Sequence, residues 1–310
     1  MRGITSSNEQ FGALVAALLA ERLGLPGTEP TALIASQHKY IARRILQKEL
    51  PEANVAFHAF PYTFKTAEEI PLGFPYYVKP VKAAYSVLAR RVDNFHELRQ
   101  HMTFHPWEKY IIKRLVRPFN DVVRKLTDFD VDAHWMLAEE IIDGQQINVD
   151  GVVVDGEIRI LGIVDAVMYP GTGECRMIEV NPRMAAQFSD LYEKVDGINL
   201  HDVALKIATG QVPDLTAGRG KYKVATSFVF RKFDGTPLHN PPTHENLNWL
   251  REFEPDAFLA LFIKSGGGLE REMQWLGSHR YATLNMGGQS AEPLQDKYQT
   301  VKRTLGFETG

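Results

Sequence analysis

The chain has 310 residues, 44% of them hydrophobic and 24% charged, an ordinary globular composition that can bury a large core divided among two or three packed units. Its formal net charge of −3 gives no general attraction for nucleic acid, and no apolar run reaches the roughly 18 residues needed to span a bilayer. A single cysteine, Cys175, cannot form an internal disulfide, so nothing requires an oxidising compartment and a soluble, cytoplasmic protein is expected.

In chain order, the first predicted element is a helix. Phe11, Leu14, Val15, Leu18 and Leu19 recur at the spacing of one helix face, Leu23 extends it by a turn, and Gly24 with the LPG that follows closes it. A secretory signal is the rival reading of the uncharged run from Phe11 to Ala20, but Glu9 precedes it and no small-residue cleavage site follows. Next, ASQHKYIARRIL at 35–46 reads as a helix capped by Ser36 and opened by Lys39. FPYYVKPV at 74–81 reads as a short strand that carries Lys79 to its end, because Pro80 cannot continue a central strand.

From Phe74 to Asp143 there is no glycine, and the stretch after Lys79 reads PVKAAYSVLARRV, with Lys82 beside the small residues Ala83, Ala84 and Ser86. EKYIIKRLVR at 108–117 forms a helix with Lys109, Lys113 and Arg117 on one side and Ile111, Ile112 and Leu115 on the other, a solvated basic face rather than a polyanion site. His96, His101 and His105 are offset by five and four residues, which matches no compact zinc ligand set. Toward the end of the chain, KVATSFVFRKFDG reads as a strand and turn, PPTHENLNWLREF as a loop entering a helix, and ALFIKSGGGLERE as a strand into a glycine-rich turn. The MGG at 286–288 reads as a second flexible turn, and Arg231 and Arg280 are candidate anion contacts.

The richest segment is IRILGIVDAVMYPGTGECRMIEVN at 158–181, two apolar runs around a PGTG turn. Alternation along a strand puts Glu179 and Asn181 on one face, and a turn centred near Thr172 sets Asp165 opposite Glu179. Two facing carboxylates repel unless a cation neutralises them, and a set of carboxylates plus an amide oxygen, without His or Cys, suits Mg²⁺. A solvated strand face is the commoner fate of such acids, but Leu161, Ile163 and Val167 share the face of Asp165, and Met177 shares that of Glu179.

MIEVNPR after an acid-bearing strand resembles the metal-binding end of ATP-grasp enzymes. Four further segments fit in the same order over residues 3–215: ASQHKYIARRIL, FPYYVKPV, AEEIIDGQQINVDGVVVDGEI and NLHDVALKIATGQ. The resemblance implies an α+β ATP-grasp fold in which two subdomains clamp the nucleotide and a small C-terminal α/β extension packs on them. Its divisions are 1–55 (a remnant of a preceding α/β domain), 56–143 (the lid subdomain), 144–215 (the metal-binding subdomain) and 216–310 (the extension). It implies an ADP-forming ligase that activates a small-molecule carboxylate as an acyl phosphate for attack by an amine, with ATP and Mg²⁺ (or Mn²⁺) and without nucleic acid or membrane.

The resemblance also implies roles for single residues. Asp165, Glu179 and Asn181 hold the metal, Lys39 and Lys79 the phosphates, and Arg183 the carboxylate substrate or the acyl phosphate. Backbone groups at Glu140, Ile141 and Ile142 read the adenine edge, the acid at Glu139 or Glu140 accepts from its exocyclic amine, and Gln146 stands where the family usually has a ribose-binding Glu. Three departures accompany the resemblance: Gln146 itself, the glycine-free lid where the family's phosphate loop is glycine-rich, and an opening that resembles only the last piece of the usual N-terminal domain. Two alternatives therefore stay open, a nucleotide-binding but non-catalytic regulatory or partner-binding module, and an enzyme whose missing wall is supplied by a homo-oligomeric copy or a separate chain.

Overall fold

The computed structural model describes residues 2–84, 86–166 and 176–307. The chain divides into two bodies, one formed by Met1–Asn148, Asp165–Arg183 and Ala208–Gly210, the other by Val149–Val164, Met184–Ile207 and Gln211–Gly310.

The first body opens with helices α1 (Gly12–Leu23), α2 (Pro30–Gln37) and α3 (Lys39–Glu49). Gly24 ends α1 as expected, with φ at 61° and its N–H turned back to the carbonyls of Ala20 and Glu21. The buried face differs from the expected one: Leu14 with Ala13, Ala16, Ala17 and Ala20 lies inside, whereas Val15 and Leu19 are 49% and 44% exposed. Alanines let α1 approach Leu33 and Ile34 of α2 closely, and packing decides over a count of large apolar residues. The cap of α3 is also corrected. His38, not Ser36, caps it: Nδ1 accepts from the Ile41 N–H at 3.4 Å while Nε2 donates to the Val131 carbonyl at 3.0 Å. Ser36 lies inside α2 and donates to the Ala32 carbonyl.

Strands β1 (Phe57–Phe60), β2 (Tyr76–Pro80), β3 (Arg90–Val92) and β4 (Met136–Glu140) form an antiparallel sheet in the order β1-β4-β2-β3. Alternation puts Leu137 and Glu139, with Lys79 and Ala59, on one face, and Met136 and Ala138, with Val78 and Phe60, on the other. Leu14, Leu33, Ile34 and Leu137 form the core of the first face with Phe119 of α5 (Pro106–Leu126). Leu98 of α4 (Phe95–His101) packs with Phe60, Tyr76, Val78 and Met136 on the second. On α5 the basic stripe is exposed as expected, but Leu115, expected on the apolar side, is 44% exposed, and Val116, Phe119 and Val123 are the buried apolar residues, with Glu108 and Asn120 buried beside them.

In the glycine-free loop between β2 and β3, Ser86 and Leu88 take φ values of 56° and 57°, the left-handed region that costs an L-residue roughly 1–2 kcal/mol. Leu88 is held there by burial of its side chain and by His101, whose Nε2 donates to its carbonyl at 3.0 Å.

β5 (Gln146–Val154) and β6 (Glu157–Ala166) pair as a two-stranded sheet. Asp155 and Gly156 join them with φ of 52° and 82°, the two positive values of a type I′ hairpin. This corrects the expected hairpin. β6 folds back on β5 through a two-residue Asp-Gly turn, and residues 176–182 form no strand, so Glu179 does not face Asp165 across a strand pair. The PGTG turn and Cys175 lie outside the described residues.

In the second body come α6 (Ser189–Asp196), α7 (Leu200–Ala208), β7 (Val224–Lys232), α8 (His244–Phe253), β8 (Phe258–Leu261), α9 (Gly267–Leu276), β9 (His279–Gly288) and α10 (Ala291–Thr304). The three strands form an antiparallel sheet in the order β7-β9-β8. Two glycine signals resolve differently from expectation. SGGG runs into the start of α9, and MGG lies inside β9, where a Cβ on Gly287 would meet the Tyr222 ring at 2.4 Å. Phe230, Tyr281, Leu284, Met286, Leu294 and Val301 fill the core, and Phe228 stacks on Tyr298 with ring centroids 3.9 Å apart. Among the described residues no helix is long and apolar enough to cross a membrane.

Candidate active site

Strand alternation carries Glu139 past Leu137 to the rim of the first face, diagonal to Lys79 on β2. The two side chains meet: Lys79 Nζ lies 2.7 Å from Glu139 Oε2. The other carboxylate oxygen takes Arg43 Nε at 2.7 Å. All three are almost wholly buried, and the second cation offsets the cost of burying the acid. Glu139 thus meets two cations rather than standing free for a base edge.

Arg43 reaches this point from α3, one turn after Lys39, and the same helix lowers Lys39 into the cleft. Lys39 Nζ donates to the Ala83 carbonyl at 2.8 Å and stands 3.9 Å from Glu179 Oε2. Burial pushes the Lys39 ammonium below the usual lysine range, opposed by Glu179 and reinforced by Lys79. Partial desolvation raises Glu179, whose side chain is still 38% exposed, but Lys39, the hydrogen bond from Asn181 and the charges of Lys79 and Arg183 outweigh it and hold the carboxyl below its ordinary range. Asn181 Nδ2 donates to Glu179 Oε1 at 3.1 Å. Lys39, Arg43, Lys79, Glu139 and Glu179 line one cleft.

Beside it lies a second group of charges. Arg183 Nη2 pairs with Glu9 Oε2 at 2.8 Å, and the Glu9 carbonyl accepts from Gln37 Nε2 at 3.0 Å and Lys82 Nζ at 3.2 Å. Lys82, from the glycine-free stretch after Lys79, is buried, donates to Gln37 Oε1 at 3.1 Å and lies 5.0 Å from the Phe119 ring centre. Burial, with Lys39 nearby, pushes its pKa down to about 8 against the pull of Glu9. Five cations, Lys39, Arg43, Lys79, Lys82 and Arg183, therefore accompany three carboxylates, Glu9, Glu139 and Glu179. The excess positive charge suits a polyanion, and the low dielectric strengthens every interaction with it.

The remaining expected residues are less closely gathered. Glu140 ends β4 with an exposed side chain whose Oε2 accepts from the Ala56 N–H at 3.3 Å. Ile141 and Ile142 follow it outside any strand, half-buried, and Gln146 opens β5. Asp165 is exposed on β6. Among the described residues, no three His, Cys, Asp or Glu side chains converge as a metal cage. Glu179 nevertheless offers carboxylate oxygens that fit Mg²⁺ with its retained waters, whereas Asn181 turns its amide nitrogen, not its oxygen, toward that carboxylate.

Arg231 and Arg280 lie in the second body. Arg231 donates to Ser278 Oγ at 2.9 Å, and Arg280 stacks its guanidinium 4.5 Å from the Phe262 ring centre. Sequence reasoning missed Arg43 and Glu9. Arg43 carries a faint signal, one helical turn beyond Lys39, whereas Glu9 is brought to Arg183 from 174 residues away and has none.

No family model matches the sequence, and no curated protein sequence matches it. Solved structures do resemble the fold. An L-amino acid ligase from Bacillus licheniformis matches at a TM-score of 0.71 and 16% identity, covering 100% of this chain and 82% of that one. N5-carboxyaminoimidazole ribonucleotide synthetase from Thermus thermophilus matches at 0.58 and 12% identity, with 96% and 81% covered. The biotin carboxylase domain of 2-oxoglutarate carboxylase from Hydrogenobacter thermophilus, in complex with MgADP, ADP and bicarbonate, matches at 0.56 and 14% identity, with 97% and 72% covered. Together with the sheet and the ordered cation cluster, these likenesses show that the chain has the α+β ATP-grasp fold expected from its motifs.

Proposed function

We propose that this chain is an ATP-dependent, ADP-forming ligase that activates a carboxylate as an acyl phosphate for attack by an amine. The observation that carries the reading is the convergence of Lys39, Lys79 and Glu179 on one cleft with a surplus of positive charge beside it. Phosphoryl transfer asks a protein chiefly to position the reactants and to neutralise the charge that develops on the phosphoryl oxygens. In this reading Lys39 and Lys79 hold phosphate oxygens, and the backbone of Glu140 to Ile142 and Gln146 hold the adenosine. Asp165, Glu179 and Asn181 would hold Mg²⁺, which when bound would further neutralise the phosphates. Arg183 orients the substrate carboxylate for attack on the γ-phosphorus. The oxygen–phosphorus bond to ADP breaks as the acyl phosphate forms, and the amine then displaces phosphate. A cytoplasmic location belongs to the same proposal, supported by a single cysteine that calls for no oxidising compartment.

The test is the thermal unfolding midpoint with and without Mg-ATP, followed on the same sample by ADP release against a pool of carboxylates and amino acids. A nucleotide at about 100 times its dissociation constant adds roughly 2.7 kcal/mol of stability. A shift accompanied by ADP release is the expected result. Absence of any shift overturns the reading.

A second reading has its own support. Lys79 and Arg183 each already hold a carboxylate of the chain itself, Glu139 and Glu9, as suits a module that binds nucleotide without consuming it. A shift without ADP release favours that module.

A further inference from the structure

We infer that Arg43 is a positioning residue that sets the lysine end and the acidic end of the cleft at once, an inference that rests on the nucleotide-binding reading above. Arg43 is only 2% exposed, and its guanidinium donates in several directions at once. Nε donates to Glu139 Oε1 at 2.7 Å, which leaves Oε2 aimed at Lys79. Nη1 donates to the Met177 carbonyl at 2.6 Å and to Asn54 Oδ1 at 3.2 Å, and Nη2 donates to the Ile178 carbonyl at 3.1 Å. Asn54 returns a bond from Nδ2 to the Arg43 carbonyl at 3.2 Å, which fixes the helix end of the clamp.

The residues so gripped immediately precede Glu179. Residues 176–182 belong to no helix or strand, so no ladder dictates where Glu179 points. The two carbonyls held by Arg43, the Met177 N–H bonded to the Ala53 carbonyl and the Arg176 side chain bonded to the Glu52 and Asn54 carbonyls do that instead. One planar fork therefore links the carboxylate that orients Lys79 to the backbone that delivers Glu179 toward Lys39. Lysine, with one ammonium, cannot span so many directions. Stability alone does not call for this arrangement, because apolar replacement of a buried ionic group is often neutral or stabilising.

The experiment measures Mg-ATP affinity by calorimetry, at a temperature where the protein is folded, together with hydrogen exchange of the amides at 177–181. It compares the wild type with Arg43→Lys, the milder Asn54→Ala, and Asn120→Ala. The last removes a buried bond network to Asp132 and His134 of the same body that touches none of the cleft residues. Arg43→Lys is expected to weaken Mg-ATP about tenfold, in line with outer-shell losses at other sites, and to speed exchange at 177–181. Asn54→Ala is expected to do both to a smaller degree, and Asn120→Ala to lower stability without either change. Affinity within twofold of wild type and unchanged exchange in folded Arg43→Lys overturn the inference, and if that variant does not fold, Asn54→Ala decides by the same criteria. If wild type binds no Mg-ATP, the ligase reading fails instead, and the exchange rates alone decide whether Arg43 positions the segment.

Discussion

The sheet of the first body carries its row of side chains from Leu137 straight into Glu139, and the acid is met by Arg43 and Lys79 on two sides. In the second body, the β7-β9-β8 sheet carries its core row through Met286, Leu284 and Ala282 into aromatic contacts, with Phe230 and Phe307 4.5 Å apart between ring centres. Both sheets leave some buried polar atoms without a protein partner, Tyr76 Oη on β2 and Thr283 Oγ1 and Asn285 Oδ1 on β9. Both sheets bury a face, but the first does so around an ion-pair network whose members are all almost wholly buried. A network of this kind contributes little net stability for the desolvation it requires, so its presence marks the region where geometry of charge matters more than packing.

Removing the shared acid breaks the contrast most severely. Glu139→Ala leaves Arg43 and Lys79 buried without their counter-charge and is expected to cost about 3–5 kcal/mol in urea unfolding, with loss of Mg-ATP binding. A cost under about 1 kcal/mol would mean that the network is solvated and that the contrast between the sheets is false.

Acid should separate the bodies next. Burial and, less strongly, Arg90 push the His101 pKa down to about 4 against its bond to the Leu88 carbonyl, and burial lowers His38 as well. The unfolded chain takes up these protons first as pH falls below about 6.5, so the contribution is complete above that pH and is lost progressively between 6.5 and 4. The loss assigned to His101 is about 2–3 kcal/mol. Urea midpoints of wild type and His101→Gln at pH 7 and pH 4.5 check it, with a flatter pH response expected in the variant.

A smaller effect is expected at the pair beside the cleft. Glu9→Ala frees Arg183 at a cost of about 1 kcal/mol for a partly buried ion pair. In the ligase reading it lowers KM for the carboxylate substrate, because an internal competitor is gone, and a raised KM in steady-state assays would instead make Glu9 part of the substrate site. The smallest effect sharpens the comparison from the other side. Thr283→Val removes a hydroxyl that has no protein partner and is expected to stabilise the second body by about 0.5–1 kcal/mol, whereas a loss of stability would show that water satisfies that hydroxyl.

Local physics made much of this molecule legible. The strand around Lys79, the helix opened by Lys39, the β7 strand and the α8 helix follow from alternation and helical spacing, and the order of the motifs led to the fold, but the expected stop after Lys79 does not hold: β2, an interior strand, runs on through Pro80, which pairs with Met136. The errors have particular causes. The PGTG segment outweighed VVVDGEI in the reading, although an Asp-Gly pair between β-branched runs is the shorter-range hairpin signal, and β6 went to β5. The MGG segment read as a turn because glycine permits turns, but in β9 it is the close approach of Tyr222 that requires it.

By itself, then, the sequence determined local signals, the alternation around Glu179 and Asn181 and the helical spacing around Lys39, which depend on a few neighbouring bonds, and it offered Lys39, Lys79 and Arg183 as candidates through their place in a family-like order of motifs. Tertiary structure alone decided what each of them meets. Glu139 joins Arg43 across 96 residues of chain and Lys79 across a strand pair, and Glu9 joins Arg183 across 174 residues, pairings that only the folded sheet and its helices bring within hydrogen-bond reach. Charges act through distance and dielectric, and both are properties of the packed protein that no local run of residues contains.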